Sequence, residues 1–475
     1  MKHKLLTAFL FAGLLTPALA SANPEPTAYD SRSIGMGLTG VTYLDRASAL
    51  ALNPANLEGI EKLGFTINFA ALLVNQRAPV VGPNTQVDSG VGFGPIPAGF
   101  IAGRIAPRVV FAGGIYIETG YGSDFANVRC LDGDVVGGPP DYEPSTPGSD
   151  PPCSQSDPQN LDVSFFIGEF STGFSFLAHE KFTLGLAVRL PFAKQTADLW
   201  QNVGAAIGTA FYGRVKNDLG GVGFPTLRFG FTIKPHRKVR ISGMYRMYGT
   251  IKLTGTTETD LSPNVLNATA DWNIPHAVAF GVSYQANSHL LLAFEARLQF
   301  HGAKKSGNKN QNVSTSDPTG LFPDTTIVVP FGWQTAWSVK IGFEYRFNKD
   351  VLALRLGANI SEGATTPQWA QYFTPPPAPP NFSTATAGLG FYWDDRNDPS
   401  IKDKYMLDLG GLFAFTKENI GDEYIGERAL VPGGDPNNPL DNPRICSQDQ
   451  VIRTGCPGEY RVFSYWATVS FTLQY

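Results

Sequence analysis

Much of the chain alternates apolar and polar residues with a period of two. Between Leu290 and Phe300, Leu290, Leu292, Phe294, Ala296, Leu298 and Phe300 share one side, and Leu291, Ala293, Glu295, Arg297 and Gln299 share the other. Trp337 to Phe347 repeats the arrangement, with Lys340, Glu344 and Arg346 on the polar side. Val239 to Leu253 puts Arg240, Arg246 and Lys252 on one face, and Phe463 to Tyr475 sends its aromatic and aliphatic residues to another. Such alternation specifies a strand with one apolar and one polar side. Strands of a soluble sandwich run about five or six residues, whereas these reach the length of roughly ten needed to cross a bilayer at a tilt. A packed sandwich core could not absorb several charges per strand. A barrel with lipid outside and a wet interior satisfies both faces.

Strands are expected near 64–75, 96–105, 108–120, 161–178, 180–192, 219–234, 237–253, 268–286, 288–301, 333–348, 350–361, 383–394, 402–416 and 461–475. The fold class is therefore all-β: a transmembrane antiparallel β-barrel of about fourteen strands, an even number as in single-chain bacterial barrels. Tight connections such as Ala106-Pro107, Pro235-His236 and Ala286-Asn287 alternate with long polar stretches at 121–160, 193–218, 302–332, 362–382 and 417–460. Short turns mark the periplasmic side and long loops the exterior. Composition agrees: charged residues are 16 %, against about a quarter in soluble domains, and there are 51 Gly, 33 Phe and 17 Tyr but 5 Met. A net charge of −4 leaves no electrostatic footprint for nucleic acid.

Residues 1–22 read as a secretory signal peptide, with Lys2 and Lys4 before an apolar run and small residues at Ala18, Ala20 and Ala22. Export suits disulfides. Proximity pairs Cys130 with Cys153 and Cys446 with Cys456 in two outer loops, and the absence of nearby His argues against metal. Residues 23–63 precede the barrel (64–475) and do not alternate. They contain Gly35 and Gly37 in a turn-forming run, then Asp45 ahead of a short helix through Leu52, stopped by Asn53-Pro54-Ala55. Their apolar residues favour packing in the lumen as a hatch.

The run SIGMGLTGVTYLDRASALALNPANLEGI resembles the start of the FadL family of outer-membrane transporters for long-chain fatty acids and aromatic hydrocarbons. Further segments match in order: LGLAVRLPFAK, ADWNIPHAVAFGVSYQANSHLLLAFEARLQF and AWSVKIGFEYRFNKDVLALRLGANISEGATTPQ. The resemblance implies a plugged fourteen-strand barrel in the outer membrane of a Gram-negative bacterium. Its ligand would be a hydrophobic small molecule, a fatty acid first and a toluene-like hydrocarbon second, leaving sideways through a gap in the wall. A general porin or a structural surface barrel is the alternative. The expected surroundings are outer-membrane lipid and lipopolysaccharide, the expected state is a monomer, and no cofactor is called for.

In this family the wall is kinked in the third strand, which puts the kink at Gly120 or Gly122, with Gly113 and Gly114 as fallback. Leu199, Trp200, Val203, Ile207 and Phe211 have helical spacing in an outer loop and are candidates for a capture groove, or for a loop helix packed on its neighbours. Inward-facing Arg240, Arg246, Arg297, Lys340 and Arg346 are candidate anchors for a carboxylate, or members of an internal charge ladder with Glu295 and Glu344. Asn53-Pro54-Ala55 both stops a helix and holds the hatch. The six His are scattered, with no nucleophile–base pairing, so no enzyme is indicated.

Overall fold

The computed structural model describes residues 29–475, apart from 81–83, 85, 129–158, 203–211, 261, 322–323, 348–350, 378–380, 395–403, 431–441, 443–444, 447–451 and 453. The signal-peptide residues and the pair Cys130 and Cys153 lie outside the described residues.

Fourteen antiparallel strands close into a barrel. They are β1 (Leu63–Pro79), β2 (Gly92–Ala106), β3 (Val109–Val128), β4 (Gln159–His179), β5 (Phe182–Asn202), β6 (Tyr212–Val222 and Thr226–His236) and β7 (Val239–Arg246 and Gly249–Thr259). The circuit continues with β8 (Ser262–Ile274 and Ala277–Gln285), β9 (Leu290–Gln299 and Asn310–Ser316), β10 (Thr325–Pro330 and Ala336–Phe347), β11 (Leu352–Ser361), β12 (Asn381–Asp394), β13 (Lys404–Ile420) and β14 (Gly458–Gln474). Each strand pairs with the next, and β14 returns to β1 in register from Gly64↔Gln474 to Arg77↔Arg461. Closure pairs the last strand with the first, which lets a sheet sit in lipid.

The side-chain pattern is that of a membrane barrel. On β9, Leu292, Phe294 and Leu298 are exposed while Glu295, Arg297 and Gln299 are buried. On β10, Ile341 is 57 % exposed between buried Lys340 and Gly342. Apolar residues outside and charges inside invert the arrangement of a water-soluble protein and match a lipid surround.

Three adjacent strands depart from simple alternation. β6 breaks at Gly223-Phe224-Pro225, β7 at Met247-Tyr248 and β8 at Pro275-His276. Inward positions are even-numbered below the break in β6 (Arg228, Thr232) and odd above it (Val215, Leu219); β7 does the same, and β8 shifts from odd (Ala279, Ser283) to even (Ala270, Trp272). The breaks are concerted, so register survives: Arg246 faces Ala277 below and Gly249 faces Ile274 above. Lys252, expected beside Arg246 on the polar interior, therefore points outward, and Ile251 and Leu253 point in. The lower lumen is charged and the upper lumen greasy because the phase slips once.

Residues 29–60 occupy the lower lumen. They form α1 (Ser31–Gly35), α2 (Ala49–Leu52) and a 3-10 turn (Pro54–Gly59). Asp30 caps α1, its carboxylate accepting from the Arg32 backbone N–H at 2.9 Å. Asp45, expected to cap the second helix, instead pairs with Arg32 at 3.3 Å; Ser48 precedes α2, which ends at Asn53 as expected.

Candidate functional site

Two buried charge clusters tie the N-terminal segment to the wall. On one side Arg32 is bidentate to Glu344 at 2.8 and 2.9 Å, Arg46 meets Asp408 at 2.6 Å, and Arg355 bridges Glu344 at 2.7 Å and Asp408 at 2.6 Å. On the other, Tyr29 Oη donates to Glu118 at 2.7 Å and Arg246 pairs with the same carboxylate. Arg228 lies 3.4 Å from Glu118 and 3.5 Å from Glu169, Arg189 Nε donates to Glu169 at 3.0 Å, and Arg297 is 3.9 Å from Glu118. Among the described residues this second cluster brings four guanidiniums together with two carboxylates in a buried place.

Of the five anchor candidates, the fold brings Arg246 and Arg297 together here. Lys340 is engaged by Glu295 at 3.2 Å and Leu38 O at 3.1 Å, Arg346 by Glu344 at 3.0 Å, and Arg240 is half-buried elsewhere on β7. For Lys340 and Arg346 the geometry is the internal charge ladder. Glu295 also accepts from the backbone of Gly40 (3.0 Å) and Val41 (3.2 Å). Glu118, Glu169, Arg189 and Arg228 were not picked out from sequence. Their signal was available: each sits at an inward position of a membrane strand, where a charge must find a partner.

The Asn53-Pro54-Ala55 motif docks on β6. Asn53 Oδ1 accepts from Ala55 N (3.1 Å), and Nδ2 donates to Val41 O (2.9 Å), Phe231 O (3.2 Å) and Thr232 Oγ1 (3.2 Å). Wall glycines make the approach possible: a Cβ on Gly230 would lie 2.0 Å from Asn53 Oδ1, and one on Gly185 2.2 Å from Ala55 N. Gly37 has φ +72, and a Cβ there would stand 2.3 Å from Ile341 O. Gly35 lies against Gly388 of β12. These glycines are needed for backbone-to-backbone contact.

Above this segment lies an apolar chamber. Trp272, Trp333, Phe331, Tyr121 and Phe165 meet ring to ring, with centroids 4.6 Å apart for Phe165–Trp272 and 5.6 Å for Trp272–Trp333. One pocket here, of about 10 Å³, is bordered by Thr119, Tyr121, Ile274, Pro275, His301 and Asn308 among others. That pocket has room for about one water. From outside, the loop after β11 lowers Ala370 and Phe373 into the chamber. Burial pushes the phenol of neighbouring Tyr372 well above its ordinary pKa. The loop rests on the turn closed by the Cys446–Cys456 disulfide, where Gly455 N donates to Ala370 O at 2.8 Å and Trp369 packs on both cysteines.

The wall beside the chamber is interrupted. β2 and β3 pair only from Ala106↔Val109 to Ala98↔Tyr116; further out, β2 continues along β1 while β3 departs. On the other side of β3 a bulge falls between Ile117 and Thr119, so Glu118 is the extra residue. Gly120 and Gly122, the first candidates for the kink, lie in the stretch of β3 that has left β2. Gly113 and Gly114 sit in unbroken ladder, Gly114 giving way to the Phe100 ring. Gly120 and Gly122 pair with Phe166 and Ser164 just beyond the bulge, and Gly122 O accepts from Gln76 Nε2 at 2.6 Å. The extra residue at this bulge is the buried Glu118, two positions before Gly120.

The capture-groove helix is not formed by Leu199 and Trp200. Both lie on β5, opposite Val215 and Arg214 of β6; Leu199 is buried and Trp200 half-buried against the chamber cluster. Val203, Ile207 and Phe211 lie outside the described residues. Among the described residues no group of three His, Cys, Asp or Glu is placed to hold a metal.

No family model and no curated protein matches the chain. Solved structures do. The Ralstonia pickettii toluene transporter TbuX superposes with TM-score 0.66 at 15 % identity, covering 95 % of this chain and 99 % of its own. A Pseudomonas aeruginosa FadL homologue gives 0.64 at 15 % identity, covering 96 % and 99 %, and the P. putida toluene transporter TodX 0.63 at 15 %, covering 95 % and 99 %. This is a FadL-type fold. The FadL-type likeness spans essentially the whole barrel, at an identity too low for residue roles to transfer by alignment.

Proposed function

We propose that the protein is a bacterial outer-membrane transporter that takes up hydrophobic small molecules passively, with long-chain fatty acids as its first substrate. The observation that carries this reading is the juxtaposition of three features at one level: an aromatic chamber, a lumen filled beneath it, and a wall ladder that opens at Glu118. A filled lumen offers no water channel. An apolar ligand gains about 0.8 kcal/mol per methylene on leaving water, so the chamber captures it and the wall gap delivers it to lipid. The four guanidiniums gathered below the chamber support a ligand with an anionic head. The similar structures, among them a FadL homologue and two toluene transporters, support the transporter reading as a class.

Toluene-like hydrocarbons are the second reading, favoured by the cluster of aromatic rings in the chamber. Quenching of Trp272 and Trp333 fluorescence by brominated palmitate tests the first reading, with competition by toluene testing the second. Saturable quenching is expected. Its absence for every amphiphile and hydrocarbon tried, or a large steady ion conductance in planar bilayers, would overturn both.

A further inference from the structure

We propose that the wall between β8 and β9 is a second lateral doorway for the hydrophobic ligand, shut by the side chain of Asn308. The proposal rests on the uptake reading above and adds a route to it. The ladder between these strands is not continuous. Ala277 faces Gln299 and Ala270 faces Val313, so β8 advances seven residues where β9 advances fourteen. The surplus is a lobe of β9 closed on itself: Gly307 N donates to Ala303 O at 3.0 Å and Asn308 N to His301 O at 2.9 Å. A Cβ on Gly307 would stand 2.0 Å from His301 O, so the lobe needs glycine there.

Across the break, a side chain replaces the backbone ladder. Asn308 Oδ1 accepts from Asn273 N at 3.1 Å and Nδ2 donates to Asn273 O at 2.7 Å, as an opposed peptide group would. Asn273 Nδ2 donates in turn to Gly307 O at 3.0 Å. Two residues on, Pro275 has no N–H to give. A backbone ladder opens only by unzipping strands, whereas this amide patch opens by rotation of two side chains, Asn308 and Asn273.

Position makes this a doorway and not a flaw. The pocket in the chamber touches Thr119 and Tyr121 beside the Glu118 bulge, and Pro275, His301 and Asn308 at the break. It lies between the two interruptions. They are at one height: Glu118 is ten residues beyond Arg108 in its inner turn, and Pro275 is eleven before Ala286 in its own. Outside, the wall changes character at this level, from exposed Phe280 and Leu298 to exposed Asp271. The doorway therefore opens at the edge of the hydrocarbon layer.

The test uses the full-length protein in nanodiscs, with brominated palmitate quenching Trp272 and Trp333 in stopped flow. Asn308→Ala should speed ligand release about tenfold, the scale of a lost hydrogen-bonded patch, and should raise amide exchange at 271–276 by a similar factor. Asn308→Trp should slow release several-fold, and Asn308→Gln should stay near wild type. Should Asn308→Ala fail to fold, Asn308→Trp carries the test in the opposite direction. Release unchanged in Asn308→Trp, or exchange at 271–276 unchanged in Asn308→Ala, would overturn the doorway while leaving uptake standing. Absence of quenching in the wild type would instead sink the uptake reading, and the exchange measurement would still decide whether the patch opens.

Discussion

The contact between Tyr29 and Glu118 makes a sharp prediction, because it joins the N-terminal segment to the bulge in the wall. Tyr29 is buried, donates its hydroxyl to Glu118 at 2.7 Å, and packs its ring on Tyr116 with centroids 4.8 Å apart. Tyr29→Phe removes the hydroxyl and keeps the ring. A hydrogen bond to a charged group contributes about 1.5–3 kcal/mol, so local opening of α1 should become roughly 10- to 150-fold more frequent. Amide exchange of Ser31–Gly35, followed by mass spectrometry in nanodiscs, reads this directly. The reciprocal change is Glu118→Gln, which removes the carboxylate paired with Arg246 and one of the two that Arg228 approaches. Breaking a buried pair from one side costs about 3–5 kcal/mol, and exchange should rise at 116–122 as well as in α1. If Tyr29→Phe alters exchange of 31–35 by less than twofold, the segment is held by its other cluster and the coupling of lumen to wall is refuted. So too if Glu118→Gln leaves α1 untouched.

Other consequences are open to measurement. Asn53→Ala removes the cap of the 3-10 turn and three donated bonds to Val41, Phe231 and Thr232; a loss of about 1–3 kcal/mol should appear as protease cutting within 53–60. Arg297→Ala removes one guanidinium of the cluster beneath the chamber, and should weaken brominated palmitate by about tenfold while toluene competition stays unchanged. Equal loss for both ligands would remove the argument for an anionic head. Replacing Cys446 and Cys456 together by Ser frees a loop whose ends are 10 residues apart. About 2.5–3 kcal/mol of cap stability is at stake on chain entropy, and quenching of Trp333 by aqueous iodide should increase if the cap shields the chamber.

Much of the architecture was legible in the residues. Strict alternation from Leu290 to Phe300 and from Trp337 to Phe347 names the strands, and their length separates a membrane wall from a sandwich. Alternating short and long connections orient the barrel, and the spacing of Cys446 and Cys456 suffices to pair them. The non-alternating start with Asn53-Pro54-Ala55 marks the part that is not wall. Other features went unread. The phase slip at Gly223-Phe224-Pro225, Met247-Tyr248 and Pro275-His276 sends Lys252 outward and makes the upper interior apolar, although a change of parity was visible. Leu199 and Trp200 satisfied a helical spacing by coincidence and joined a strand, since β6 offered ladder partners that a loop helix would have left unmet. The third group belongs to the closed barrel alone. Alternation tells which residues share a face of one strand; it is silent on which strand lies across the lumen. That Glu118 of β3 meets Arg246 of β7 and Tyr29 of the N-terminal segment follows from closure, and a carboxylate in a low-dielectric interior must find those cations or bend its strand to reach them.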